Sequence, residues 1–316
     1  MQNKLSTIAL EFMKAGLTGD IVSIPEAYKE YVEVFDVPEK PDNWEFMYRN
    51  RQEEIIVPVS GGLDSTICYY IAKMSGKSVR AFYVDMGQEY AWKEKDALVN
   101  LGIDFSVLAD VRSDRTGWNE RFSKAWKHIL PARNFYILSL LAEQAEGPAT
   151  LYFGVLDGEI KERLGGDKSK EFLRMLTHDL ARMHPFPVTL ELPIQYLTKA
   201  SEIEYFLGLA EVHKLEEFGI NNKQEAIDLL TKTVTCFDGT AKQCGRCQAC
   251  LRRYLAFEYN GIKLDDFDVP VMENTKEFQM KYLDAMTLAL RDNDFSQYSK
   301  IRCEQDLHVL KNNPCK

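Results

Sequence analysis

No stretch of this chain stays apolar long enough to cross a bilayer. The most hydrophobic segments, such as residues 135–142, fall far short of the ~20 residues a spanning helix needs. Positive charge is also short: 39 Lys and Arg against 48 Asp and Glu leave a formal charge of −9. Generic nucleic-acid binding rests on cationic neutralisation of phosphates, so so acidic a chain suits it poorly. Histidine is scarce, with five in 316 residues, and no Ser-His-Asp or Cys-His pattern marks an activated nucleophile. Lys4, Glu11 and Lys14 interrupt the apolar positions of the N-terminus, which therefore does not read as a secretory leader. Cys315 stands too near the end for a prenylation box. A cytoplasmic location is expected. Internal repeats and low-complexity tracts are missing. What remains is ordinary globular composition, 45% hydrophobic and 28% charged, in a chain long enough to bury a core without disulfides.

The pattern along the chain divides it. Residues 1–50 carry apolar residues at helical spacing (Leu5, Ile8, Ala9, Phe12, Met13) and end in a linker at Pro38, Pro41 and Asp42, which predicts a helical extension. Strands are expected at Ile55–Val59, Ser78–Val84, Phe105–Leu108, Leu151–Leu156 and Val188–Leu192. Helices are expected at Leu63–Met74, 90–101, Asn134–Ala145, 170–183 and Ser201–Glu217, the last opening on a Ser201/Glu204 capping box. Such alternation predicts an α/β fold with a parallel, doubly wound sheet. Residues 53–220 should form this domain, 221–262 a cysteine-rich region and 263–316 a helical C-terminal extension. Ligands of such sheets bind beyond the carboxyl ends of the strands, where Ser60, Asp85 and Asp157 are expected.

The first strand runs into Val59-Ser60-Gly61-Gly62-Leu63-Asp64-Ser65-Thr66. Two glycines let the backbone turn sharply and approach a ligand. The unpaired first amides of the helix, backed by its dipole, then favour an anion, with Ser60, Ser65 and Thr66 as hydroxyl donors. The Gly-Lys-Ser/Thr ending of a Walker A site is missing, so no lysine holds a γ-phosphate for transfer. Asp85, at the next strand's edge, suits a nucleotide or Mg²⁺.

Four of the seven cysteines fall within 15 residues, as Cys236-x7-Cys244-Gly245-Arg246-Cys247-Gln248-Ala249-Cys250. This clustering points to metal rather than disulfides. Gly245 permits the tight knuckle, and Cys236 supplies the fourth thiolate of a closed tetrahedron suited to Zn²⁺. Arg246, Arg252 and Arg253 are placed to offset its negative charge. An iron–sulfur cluster is the rival reading.

The loop Ser60-Gly-Gly-Leu-Asp-Ser65 resembles the PP-loop of the ATP pyrophosphatases. With the cysteine knuckle, and with Asp85-Met-Gly-Gln88, Pro131-Ala-Arg-Asn134, Leu138-Ser-Leu140, Gly154-Val155, Thr198-Lys199 and Arg253 in the same order, the chain resembles the 7-cyano-7-deazaguanine synthase (QueC) family over residues 53–262. The resemblance implies an AMP-forming carbon–nitrogen ligase. ATP adenylates the carboxylate of 7-carboxy-7-deazaguanine, ammonia displaces AMP to give the amide, and a second activation gives the nitrile. ATP, Mg²⁺ and Zn²⁺ are the implied cofactors, and a homodimer is expected. Catalysis falls to Ser60, Asp64, Ser65 and Lys199. ATP falls to the loop from Val59 to Thr66, with Asp85, Gln88, Arg133 and Asn134. The acid falls to Gly154, Asp157, Asp167 and Lys168. One stretch departs from the family, which usually carries Tyr-Pro-Asp-Cys-Arg where this chain reads Leu164-Gly-Gly-Asp-Lys-Ser-Lys-Glu-Phe172. Asp167 and Phe172 match, and Lys168 and Lys170 are the candidates to replace the arginine, with Lys161 and Arg163 nearby. That departure favours, as alternatives, the same chemistry on another carboxylate, as in QueC-like proteins of antiviral defence, or a reaction ending at the amide. PP-loop tRNA thiolation and a zinc-knuckle nucleic-acid adaptor are the further rivals. Cys68 is the only cysteine of the sheet region, and the charge is −9, which counts against both.

Overall fold

The computed structural model describes residues 53–109, 133–157, 159, 166–184 and 187–313. The expected helical extension at 1–50, and Lys161 and Arg163, lie outside these residues. The described residues divide into two compact units, one built on residues up to 154 and 166–193, the other on 155–157, 159 and 194–313.

The first unit holds five parallel strands, β1 (Glu54–Pro58), β2 (Ser78–Asp85), β3 (Ser106–Ala109), β4 (Ala149–Tyr152) and β5 (Val188–Glu191), in the order β3-β2-β1-β4-β5. Ile55, Ile56 and Val57 are fully buried, as a central strand covered on both faces requires. Glu54 pairs with Ser78 on one side and Ala149 on the other. Among the described residues four helices connect the strands: α1 (Leu63–Met74), α2 (Ala91–Asn100), α3 (Arg133–Glu143) and α4 (Lys170–Met183). The strand order runs outward from β1 to β3, then reverses to β4 and β5. Right-handed crossovers therefore put α1 and α2 on one face and α3 and α4 on the other, and they make the gap between the ends of β1 and β4 a topological switch point. The sheet is doubly wound, as expected.

Of the boundaries that differ from the sequence expectation, two bear on the site. β4 stops at Tyr152, not Leu156, because the chain leaves the sheet at Gly154 while the apolar run continues. Val155 and Leu156 are buried in the other unit, so Asp157 is not at a strand edge. In the second unit, helix α5 (Lys199–Glu211) starts before Ser201. Its cap is Thr198, whose hydroxyl accepts the Ser201 amide at 3.0 Å. The Ser201/Glu204 box is thus displaced by three residues, and Ser201 lies inside the first turn.

The second unit continues through α6 (Lys223–Thr231), α7 (Gln248–Tyr259), one helical turn at Val271–Asn274, α8 (Lys276–Asp292) and α9 (Lys300–Asn312). Leu251, Leu255, Val271, Tyr282, Met286, Cys303, Leu307 and Leu310 pack α7, α8 and α9 into one core. Among the described residues no helix is long and apolar enough to cross a membrane.

Candidate functional site

The loop between β1 and α1 lies at the switch point. Gly61 has φ +68°, and a Cβ there would meet Ala97 Cβ at 2.8 Å and the Glu94 carbonyl at 2.9 Å. Only glycine fits, because the loop is pressed against α2. The Ser60 amide donates to Ser65 Oγ at 3.2 Å, and Ser65 Oγ donates to the Gly62 carbonyl at 3.1 Å. The Ser60 and Ser65 hydroxyl oxygens are 3.4 Å apart. The loop is therefore preset around the start of α1, where the first helical amides have no intrahelical acceptor. Asp64 lies in that first turn. Gly154, at the end of β4, comes so close that a Cβ on it would lie 3.2 Å from Asp64 Cβ. Three of the expected ligand residues have buried side chains. Thr66 is fully buried and gives its hydroxyl and its amide to the Gly62 carbonyl at 2.8 and 3.0 Å. Val59 and Leu63 are buried anchors, and the Val59 amide belongs to the ladder with Phe82.

Past β2 a polar network forms. The Asp85 carboxylate accepts from the Gly87 amide at 3.0 Å and from Lys95 Nζ at 2.9 Å. Burial raises its pKa, but these two donors outweigh it and hold the carboxyl below its ordinary value. Gln88 gives Nε2 to the Tyr83 hydroxyl (2.9 Å) and Glu94 (3.1 Å), and its Oε1 accepts the Met86 amide at 3.0 Å. Its amide thus holds the turn together rather than facing outward. Tyr83 also donates to Glu94 at 2.8 Å. Burial pushes the Glu94 carboxyl up, against the pull of Tyr83, Gln88 and Arg133, and Arg133 also hydrogen-bonds Tyr90. Glu94 escaped the sequence reading. Its signal was an acid at the i+3 position between Ala91 and Leu98, on the buried side of α2.

Asn134 is buried, and its Nδ2 donates to the Asp167 carbonyl at 3.3 Å. This ties the start of α3 to the segment that departs from the family. Lys168 Nζ stands 5.9 Å from the centre of the Phe153 ring. In the second unit, Lys199 opens α5 with Nζ 3.4 Å from Glu202, which is fully buried. Asp157, its amide bonded to the Leu197 carbonyl at 2.9 Å, lines a cavity with Lys199.

Cys236, Cys244, Cys247 and Cys250 bring their sulfurs within 4.8 Å of one another. Cys244 and Cys250 are 3.8 Å apart, Cys247 and Cys250 3.5 Å. A tetrahedral ion with metal–sulfur bonds of about 2.3 Å needs sulfurs ~3.8 Å apart, so these thiols fit a single ion. The amides of Asp238 and Cys244 donate to Cys236, that of Arg246 to Cys244 and that of Cys250 to Cys247, each at 3.4 Å. Hydrogen bonds from Cys247 and Cys250 pull the Cys236 thiol far down, while the bond to Cys236 drives Cys247 up to about 12. Sulfurs packed this closely are the arrangement that a single cation among them would use. Gly245 has φ +70°, and a Cβ would lie 2.2 Å from the Val269 carbonyl. Buried Gln243 accepts the Thr235 and Cys236 amides. Arg253 is buried behind the thiols on Thr233, Thr231 and Asp266 at 2.7, 2.9 and 3.1 Å.

The phosphate-type loop and the thiol centre fall inside one stretch, residues 54–261, that matches the sequence model of the Queuosine biosynthesis protein QueC. The chain belongs to the QueC family. Curated relatives named 7-cyano-7-deazaguanine synthase align with it. That of Clostridium kluyveri is 28% identical over 236 residues, 67% of this chain and 96% of the relative. That of Marinobacter nauticus is 26% identical over 231 residues, 66% of this chain and 95% of the relative. The Sulfolobus acidocaldarius relative is 27% identical over 67% of this chain, and the match spans about half of its length (47%). A solved structure, NMN synthetase from Francisella tularensis, overlaps at TM-score 0.30 and 14% identity, covering 68% of this chain and 89% of that one, too loosely to bear on function. The QueC match ends before α8 and α9, so these helices are additions to the family core.

Proposed function

We propose that this chain is an ATP-dependent ligase that converts 7-carboxy-7-deazaguanine and ammonia into 7-cyano-7-deazaguanine, releasing AMP and pyrophosphate. The observation that carries this reading is the QueC match over a stretch whose Ser60–Ser65 loop is folded at the sheet's switch point. A carboxylate oxygen leaves poorly, and adenylation turns it into part of AMP. The acid's oxygen attacks the α-phosphorus, the bond to pyrophosphate breaks, and ammonia then displaces AMP to form the amide. A second adenylation, on the amide oxygen, leads to the nitrile.

In this reading the open amides at the start of α1, with Ser60 and Ser65, take the leaving pyrophosphate. Asp64 orients that turn. Mg²⁺, when bound, neutralises phosphate charge. Arg133 faces the nucleotide, Lys199 and Asp157 serve the reacting groups, and Asp167 accepts the adjacent N–H donors of the guanine-like ring. The four thiolates hold Zn²⁺ in a closed, structural role. The reading is tested by incubation with ATP, Mg²⁺, ammonium and the acid, followed by mass analysis. The amide should appear first, then the nitrile, with two AMP per nitrile. Unchanged acid would refute the substrate. Asp167→Asn should weaken the acid by roughly tenfold or more, as loss of a charge-assisted pair predicts, and leave ATP affinity unchanged.

A further inference from the structure

Helices α3 and α4 each run back to the start of the next strand, β4 and β5. Their first turns therefore lie at the carboxyl edge of the sheet, the edge on which ligands of such folds bind. Just ahead of α4 the chain makes a β-turn, in which the Ser169 amide donates to the Gly166 carbonyl at 3.0 Å. Asp167 and Lys168 are its two central residues, both half-buried. The turn lies in the stretch that departs from the family pattern, so its shape belongs to this chain.

The turn is fastened at three points, all within the sheet unit. Ser169 is buried and caps α4, its Oγ accepting the Phe172 amide at 3.3 Å. Lys168 Nζ lies 5.9 Å from the centre of the Phe153 ring. Phe153 is itself buried just past β4, and its amide donates to the Glu191 carbonyl at 2.9 Å. The third point is Asn134, in the first turn of α3, whose Nδ2 donates to the Asp167 carbonyl at 3.3 Å. A carbonyl can only accept, so this contact needs the amide nitrogen of asparagine. An ionised carboxylate or an apolar side chain cannot replace it. The bond fixes the peptide plane between Asp167 and Lys168, and with it the direction in which each side chain leaves the turn. The sequence pattern puts Asn134 with the nucleotide, but at 3% exposure it presents almost no surface to a ligand, and its amide is turned to the protein.

We propose that Asn134 is a positioning residue for the acid rather than a ligand of ATP. It pins the Asp167–Lys168 turn and so sets how tightly the chain holds its carboxylic acid substrate. The proposal deepens the ligase reading above and rests on it for the identity of the acid. The pinning itself is read without any ligand.

Asn134→Leu keeps the volume and removes the donor. Asn134→Ser is the milder variant, with a hydroxyl too short to reach the carbonyl. Calorimetric titration of each, and of the parent, uses 7-carboxy-7-deazaguanine and Mg²⁺-ATP as separate probes. The acid should weaken by roughly fivefold or more, as loss of a buried hydrogen bond predicts, while ATP stays within about twofold. Because Asn134 acts through Asp167, the same substitution in an Asp167→Ala background should weaken the acid by less than about twofold more, whereas general damage to the fold would add in full. Hydrogen exchange of the free protein reads the pinning. Peptides covering residues 166–172 should exchange roughly tenfold faster in both variants, with the loop at 60–66 unchanged. ATP weakened as much as the acid would return Asn134 to the nucleotide and overturn the proposal. So would acid affinity within about twofold of the parent, or parental exchange at 166–172 in a folded variant. A parent that does not bind the acid refutes the substrate named in the ligase reading, and the exchange at 166–172 then decides for or against the pinning by itself.

Discussion

At Gly61 and Gly245 a single missing Cβ decides whether the backbone fits. Gly61→Ala would drive a methyl into α2 in a backbone region that costs an L-residue of order 1–3 kcal/mol. The variant should lose ATP turnover and unfold at lower denaturant. Gly245→Ala meets a backbone carbonyl at 2.2 Å, so it should open the thiol centre and lose metal as well as stability. Metal analysis and denaturation of the purified variant check this, and full metal content would contradict it. Asp85 adds a pH effect with a definite sign. Its carboxyl titrates below the ordinary value in the folded chain. The stability it contributes is present above the unfolded carboxylate's pKa and is lost as pH falls through the lower, folded one. The gap between parent and Asp85→Asn, followed by urea denaturation, should close on acidification through that window. A gap that widens there would be the wrong sign.

Helix α5 shows what an element owes to its neighbours. Loss of a capping hydroxyl costs about 0.5–2 kcal/mol. Thr198→Val also leaves the buried Gln305 oxygen without its donor, for about 1–3 kcal/mol more. The variant should therefore lose roughly 2 kcal/mol or more by urea denaturation, and a loss under about 0.5 kcal/mol would contradict the cap. The same helix marks how far the sequence could be read. β1, the glycine loop and α1 were legible because a fully apolar run, a Ser-Gly-Gly turn and a helical pattern follow one another without ambiguity. The apolar pattern overruns β4 because Phe153 to Leu156 stay apolar after leaving the sheet. The cap of α5 is ambiguous in sequence because Thr198 and Ser201 are both competent, and Gln305, far along the chain, bonds to both hydroxyls only in the folded unit. Glu94 carries only a faint signal for the same reason: an acid on the buried side of α2 gains its partners Tyr83 and Gln88 only once the helix has packed.

On the scale of the whole chain, two centres with different duties sit in two units. The four thiols, Gln243 and Arg253 order the segment between α6 and α7, and one Zn²⁺ per chain is expected there. Cys247→Ser should lower zinc content and solubility together, and iron with sulfide in elemental analysis would overturn the zinc assignment. The chemistry is assigned to the other centre, the loop at the switch point, where a carboxylate oxygen should become an oxygen of AMP. The most direct measurement is to supply 7-carboxy-7-deazaguanine labelled with oxygen-18 in the carboxyl group, with ATP, Mg²⁺ and ammonium, and to weigh the nucleotide product. AMP carrying the label is expected, whereas unlabelled AMP, or ADP with labelled phosphate, would contradict adenylation of the carboxylate.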